Sequence, residues 1–315
     1  MSALVVGPIV DFYRNILQPV RALEWFGLSL TSLDLAAAFR LCLVLRQIRE
    51  QLHAQHVRKA RKGVSLQAVE PRSFVREASA VLLVVYGGEA ITARSYLAPL
   101  LGTPPSFMLS GVVPLLYVSM QALVETLPTV PTPSLNTELP LAFFDGMSRA
   151  YLLCNLIPPV VLTHSLPAVS TSPWTLLLTS LVSPNAGFLA INALSFLQPY
   201  ALTLTTPPEL GPYGWTTTDL WVAPGITALY ALLTHAQPFW ADAHGVLLGW
   251  LGAAGAEAKP APVDAETARA LCAAVLAALF SARTVKNFGG AYLGAGKPEG
   301  EEKVKVGVSE KVKAQ

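Results

Sequence analysis

From Ser95 to Ala258 the chain carries one lysine or arginine, Arg149, whereas residues 46–76 hold Arg46, Arg49, Arg58, Lys59, Arg61, Lys62, Arg72 and Arg76. Long apolar stretches with cations swept to one set of loops read as a chain that crosses a bilayer repeatedly. The totals agree: 52% of residues are hydrophobic and 13% are charged, and mean hydropathy is +0.47. That balance argues for a polytopic membrane protein and against a soluble enzyme. The net charge of +2 hides the asymmetry. By the positive-inside rule the 46–76 loop is cytoplasmic, and the Lys-bearing tail from Arg283 onward falls on the same side. An odd number of spans and an N-terminus on the far side of the membrane follow. The first residues lack a basic n-region, and Pro8 interrupts their short apolar run, so no cleavable signal peptide is expected.

The pattern predicts an all-α fold. Residues 1–26 carry Asp11, Arg14, Arg21 and Glu24 among apolar and aromatic residues, which suits an interfacial segment. A first unit, 27–127, contains spans at 27–45, 76–101 and 106–127. The Pro/Thr-rich stretch 128–142 reads as a linker without helical pattern. A second unit, 143–240, contains spans at 143–167, 173–197 and 214–240. Residues 241–294 supply a further linker and a seventh span at 266–285, and 295–315 mix Lys and Glu densely enough to be disordered.

Two spans hold helix-weakening residues at their centres: Gly87-Gly88 in the second, and Pro184-Asn-Ala-Gly187 in the fifth. Each reads as a broken helix that exposes backbone to water or to an ion. The alternative is close packing of two helices through small residues, with Glu89 and Arg94 near the headgroups. Laying the first unit over the second aligns Asp34 with Asp145, Cys42 with Cys154, and the two breaks with each other. Two copies of three spans run through the membrane in opposite senses, so the predicted architecture is a 3+3 inverted repeat of transmembrane helices plus one C-terminal helix. Interrupted helices at matching positions of inverted repeats point to a permeation or binding site.

Leu33-Asp34-Leu35, Tyr86-Gly87-Gly88 followed by Arg94 and Leu100-Leu101-Gly102-Thr103-Pro104-Pro105, and Phe144-Asp145 with Arg149 together resemble the trimeric intracellular cation channels. The likeness extends over 27–287, mostly as pattern. It implies seven helices, a pore in each subunit at glycine-broken helices 2 and 5, a homotrimer, passage of potassium or sodium, and an endoplasmic reticulum or nuclear membrane. It implies no cofactor. The chain departs from the family at Glu89, where a third glycine is common, and at Pro184-Asn-Ala-Gly187. Late in the fourth span it offers Pro158, Pro159, His164 and Pro167 instead of the cations that hold a phosphoinositide, leaving Arg149 as the one candidate.

In a channel, Gly87, Gly88, Glu89, Pro184 and Gly187 would line the pore, with Asp34 and Asp145 favouring cations. Arg94 and Arg149 would pair with those acids as gates or register pins. The plainer role for Asp34 and Asp145 is helix capping. Arg58, Lys59, Arg61 and Lys62 attract anionic lipid headgroups, and Arg283 and Lys286 snorkel to them. Nucleic-acid binding is not expected of so short a basic run. Cys42, Cys154 and Cys272 read as buried free thiols with no metal framework. Two other classes stay open. A seven-helix membrane hydrolase would use His164, Ser165, Asp242 and His244, but no catalytic or metal spacing recommends them. A receptor-like or scaffold membrane protein is the other.

Overall fold

The computed structural model describes residues 3–24, 29–62, 64, 67–94, 111–251 and 261–294. The fold is all-α. Among the described residues the helices are α1 (Ala3–Ile16), α2 (Arg21–Glu24), α3 (Ser32–Arg61), α4 (Phe74–Arg94), α5 (Val112–Thr126), α6 (Leu135–Tyr151), α7 (Ile157–Leu162), α8 (Pro167–Ser170), α9 (Pro173–Ala193), α10 (Thr218–Thr234), α11 (Pro238–Trp250) and α12 (Ala265–Gly294). Among the described residues the one β-type pairing is an isolated bridge between Pro19 and Thr31.

Several expected boundaries move. α3 starts where Thr31 and Asp34 form a capping box, and its 30 residues carry it into the expected basic loop. The extension holds because Arg46, Gln47 and Arg49 face protein partners while the last turn, Arg58 to Lys62, stays exposed. The 128–142 linker is shorter than its composition suggests, since a second capping box at Ser134 and Thr137 starts α6. The apolar stretch at 214–240 yields a shorter helix, because Thr234 gives way to His235 in the left-handed region. A π turn, Leu152–Leu156, joins α6 to α7 ahead of Pro158-Pro159. Prolines there remove the N–H groups that earlier carbonyls need, and the wider turn absorbs the mismatch. Residues 95–110, with the Leu100 to Pro105 motif, and the 295–315 tail lie outside the described residues.

Contacts fix the running directions of the helices. Arg49 at the far half of α3 meets Glu77 early in α4 and Glu125 late in α5. Arg76, at the start of α4, donates to the carbonyls of Ser195, Phe196, Gln198 and Tyr200 just beyond α9. The N-terminal half of α4 therefore shares one end, the basic end, with the C-termini of α3, α5 and α9. At the opposite end Gln237, just after α10, donates to the Ser170 and Ser172 carbonyls before α9. Glu266, opening α12, there meets Arg14 of α1 at 2.6 Å. The order α3, α4, α5 begins at the opposite end; the order α6, α9, α10 begins at the basic end.

The expected helix breaks are absent: α4 continues through Gly87-Gly88, and α9 continues through Pro184 to Ala193. The glycines make a crossing. A Cβ on Gly88 would lie 2.6 Å from the Ser183 carbonyl carbon, and one on Gly187 would lie 2.6 Å from the Leu83 carbonyl oxygen. Gly146 does the same for α6 against α12, where a Cβ would stand 2.6 Å from the Ala277 nitrogen. Two cores form around these seams. One gathers Cys42, Leu45, Val81, Val84, Val124 and Ile191; the other gathers Leu153, Cys154, Leu176, Ile226, Leu276 and Phe280. By length and composition, two described helices qualify on their own as candidate membrane crossings, Pro173–Ala193 and Ala265–Gly290.

Gly88→Ala is expected to destabilise the protein by about 1–3 kcal/mol, because overpacking against rigid backbone cannot relax cheaply. Gly225, whose Cβ would meet nothing within 4 Å, is the control. Gly225→Ala should be neutral or slightly stabilising, by up to about 1 kcal/mol. Thermal unfolding of both purified variants checks the pair.

Candidate functional site

A cavity of about 580 Å³ opens beside the glycine crossing. Its walls come from α3 (Arg40), α6 (Asp145, Arg149), α9 (Asn185), the loop after α9 (Glu209), α10 (Asp219) and α12 (Arg283). Six of its lining groups are ionisable, three of each sign. In a helical bundle otherwise packed with Leu, Ala and Val, so many charges persist only where they pair with one another or face water.

The pairing is specific. Arg283 Nη1 reaches both carboxylate oxygens of Asp219 at 2.7 Å. Arg149 lies 3.8 Å from Asp145 and 3.8 Å from Asp219. Both guanidinium groups stand over the Phe280 ring, at 5.3 Å for Arg149 and 4.7 Å for Arg283. The ring's negative face offsets some of their repulsion. Asp219 thus ties α10 to α6 and α12 in one cluster. Arg40 pairs across from α3 to Glu138 of α6 at 2.9 Å, and Glu138 is 6% exposed. Gln47 donates to the other Glu138 oxygen at 3.4 Å.

The sequence candidates scatter around this cavity. Asp145 and Arg149 line it and pair with each other, as proposed for them. Gly87, Gly88 and Gly187 do not line it; they are the seal between α4 and α9 just behind it. Pro184 is inside α9 without ending it, and its neighbour Asn185 faces the cavity instead. Glu89 is half-buried on α4 and does not belong to the described lining. Asp34 takes the capping role: its carboxylate accepts from the Thr31 N–H at 2.9 Å and the Thr31 hydroxyl at 2.8 Å. Arg94 is the last residue of α4, and its side chain lies outside the described residues. Arg58, Lys59, Arg61 and Lys62 are exposed at the basic end, as is Lys286. Arg283, expected to snorkel to lipid, instead turns inward to Asp219 because a carboxylate is available there.

Arg40, Glu138, Glu209 and Asp219 were not singled out from the sequence as site residues. For Arg40 the signal was present, since it interrupts an apolar run and an ionisable group at such a place calls for a partner, whereas Glu138, Glu209 and Asp219 stand among polar, Pro or Gly residues. Which partner it finds is a three-dimensional matter. The same holds at the basic end, where buried Arg46 donates to the Val124 carbonyl and, at 2.9 Å, to that of Leu127.

The residues weighed for a hydrolase do not converge on a metal centre. His164 Nδ1 accepts from the Leu166 N–H at 3.1 Å, and His244 pairs with His235 at 2.8 Å. Burial, then the neighbouring His235 charge, holds the His244 imidazole below its ordinary pKa. Among the described residues no group of three or more His, Cys, Asp or Glu side chains has metal-binding proximity. No family model matches the sequence, and neither a curated protein nor a solved structure matches it.

Arg40→Ala should destabilise the fold by about 3–5 kcal/mol, since it strands a buried Glu138 carboxylate. The double change Arg40→Met with Glu138→Gln should recover most of that loss. Asp219→Asn, at a pair more than a third exposed, should cost about 1 kcal/mol or less. Chemical or thermal unfolding of the purified variants measures all three.

Proposed function

We propose that this chain is an integral membrane protein that passes monovalent cations, potassium foremost, along the charged cavity between its two helix triplets. The observation that carries the reading is that cavity: about 580 Å³, its walls largely apolar but carrying six ionisable side chains, within a bundle of apolar helices. A bilayer tolerates such a concentration of charge where it serves a hydrophilic path. The opposed running directions of α3-α4-α5 and α6-α9-α10 support a 3+3 inverted arrangement, with α12 as the added seventh crossing and α1 beside it. Transport proteins built this way carry their sites at the interface between the triplets. The cavity lies at that interface, its walls drawn from both triplets.

The path differs from the one expected at broken helices. Continuous α4 and α9 leave no unwound carbonyls at Gly87, Gly88 or Gly187, so ions move beside the crossing, past Asp145, Arg149 and Asn185. The glycine seam supplies the fixed axis against which the walls stand. In this reading the protein assembles as a homotrimer in the endoplasmic reticulum or nuclear membrane, with the N-terminus lumenal and the basic end cytoplasmic. Arg58, Lys59, Arg61 and Lys62 then meet anionic lipid headgroups. The reading assigns it no catalytic chemistry.

Purified protein in liposomes is expected to carry potassium faster than protein-free liposomes. Ala37→Trp, which fills the cavity from α3, should lower that flux severalfold while leaving the thermal midpoint nearly unchanged. Flux from the wild-type protein no greater than the empty-vesicle leak removes the proposal.

A further inference from the structure

Charge matching within the cavity leaves one carboxylate over. Arg283 is met by Asp219 and Arg40 by Glu138, while Arg149 stands between Asp145 and Asp219. Three arginines therefore face the lining acids Asp145, Asp219 and Glu209 together with Glu138 behind the wall. No described cation pairs with Glu209. Its Oε1 accepts from Asn192 Nδ2 at 3.2 Å. Its other oxygen, Oε2, is buried and has no hydrogen-bond partner among the described residues.

The backbone that carries this half-buried carboxylate is closely packed. Glu209 sits on the 3₁₀ turn Pro208–Leu210. Gly214 packs so closely on the turn that a Cβ there would lie 2.6 Å from the Glu209 carbonyl carbon. Asn192, on α9, then fixes the rotation of the carboxylate. A buried, fixed carboxylate oxygen without a donor is costly unless something positive comes to it.

The neutral groups around the cavity are suited to the same visitor. Asn185 anchors its carboxamide through one Nδ2–H to the Leu181 carbonyl at 2.8 Å, and its Oδ1 remains as an acceptor. Thr217 commits its hydroxyl proton to the Gly214 carbonyl at 2.9 Å, leaving oxygen lone pairs. Both residues line the cavity with Glu209. Carboxylate, carboxamide and hydroxyl oxygens are hard ligands, the kind that take alkali and alkaline-earth cations. One unmatched negative charge balances a single positive one, whereas calcium sites generally gather several carboxylates.

We infer that Glu209 is the principal anchor of a monovalent cation site in this cavity, with Asn192 as its positioning residue. The inference rests on the transport reading for its purpose, but binding is measured separately from flux. Full-length protein in detergent is titrated with potassium chloride against choline chloride at constant ionic strength, following the thermal midpoint. Wild type should show saturable stabilisation by potassium. Glu209→Gln, which keeps the shape and the hydrogen bond from Asn192, should weaken the apparent potassium affinity about tenfold or more, as expected when the charged ligand of an ion is lost. Asn192→Ala should weaken it less, and it carries the test should the glutamine variant fail to fold. Saturable stabilisation that is unchanged in Glu209→Gln overturns the assignment, as does stabilisation by calcium alone. Potassium binding without flux in liposomes would keep the site and remove the transport reading. Flux with unaltered potassium affinity and selectivity in Glu209→Gln would do the reverse.

Discussion

Backbone contact between α4 and α9 is the constraint on which the rest of the arrangement depends. With Gly87 and Gly88 on one helix and Gly187 on the other, the two rods approach closer than any side chain permits. Their antiparallel sense follows from Arg76, which at the start of α4 gathers four carbonyls beyond the end of α9. Once these two helices are locked, α3 and α5 pack on one side of them. The second core, built on α6, α10 and α12, forms on the other. In an apolar setting, where water adds little drive to helix association, such close packing and the hydrogen bonds of buried side chains are what hold rods together.

The same constraint explains where polar space is left. A seam sealed by glycines leaves no open space, so whatever cavity volume the bundle keeps must lie beside it. The larger side chains there hold the helices apart: Arg40 from α3, Arg149 from α6 and Arg283 from α12. Each of these arginines is compensated, and each compensation crosses between elements. The ion pairs therefore have two roles, satisfying charges that are expensive to bury and spacing the walls of the cavity. Removing one partner disturbs both.

Several residues singled out from the sequence lie at the cavity or at the glycine crossing, but in contacts other than those expected. Asp145 and Arg149 were legible as a pair because the spacing i to i+4 on one helix is local geometry. Asp34 was legible as a cap for the same reason, Thr31 standing three residues before it. The glycine runs were legible as unusual but not as seams, since a helix interruption and a close crossing ask for the same residue. Only the partner decides between them, and for Gly87 and Gly88 that partner is about a hundred residues away at Ser183 to Gly187. Arg283 was misplaced because its position beside the basic tail suggested lipid, while its acceptor, Asp219, comes from another helix. Glu209 gave no local signal at all: what singles it out is that its neighbours in space have already spent their charges on each other.

What the amino-acid order carries by itself is the helical class, local helix starts and the gathering of cations into one stretch. Hydrophobic length, capping pairs such as Thr31 with Asp34 and Ser134 with Thr137, and the sweep of cations into 46–76 act within a few residues of one another. Tertiary structure alone decided that two suspected breaks are one continuous contact, which arginine meets which acid, and which carboxylate is left without a match. Those outcomes depend on distances between segments far apart in the chain, and such distances exist only after the helices have packed.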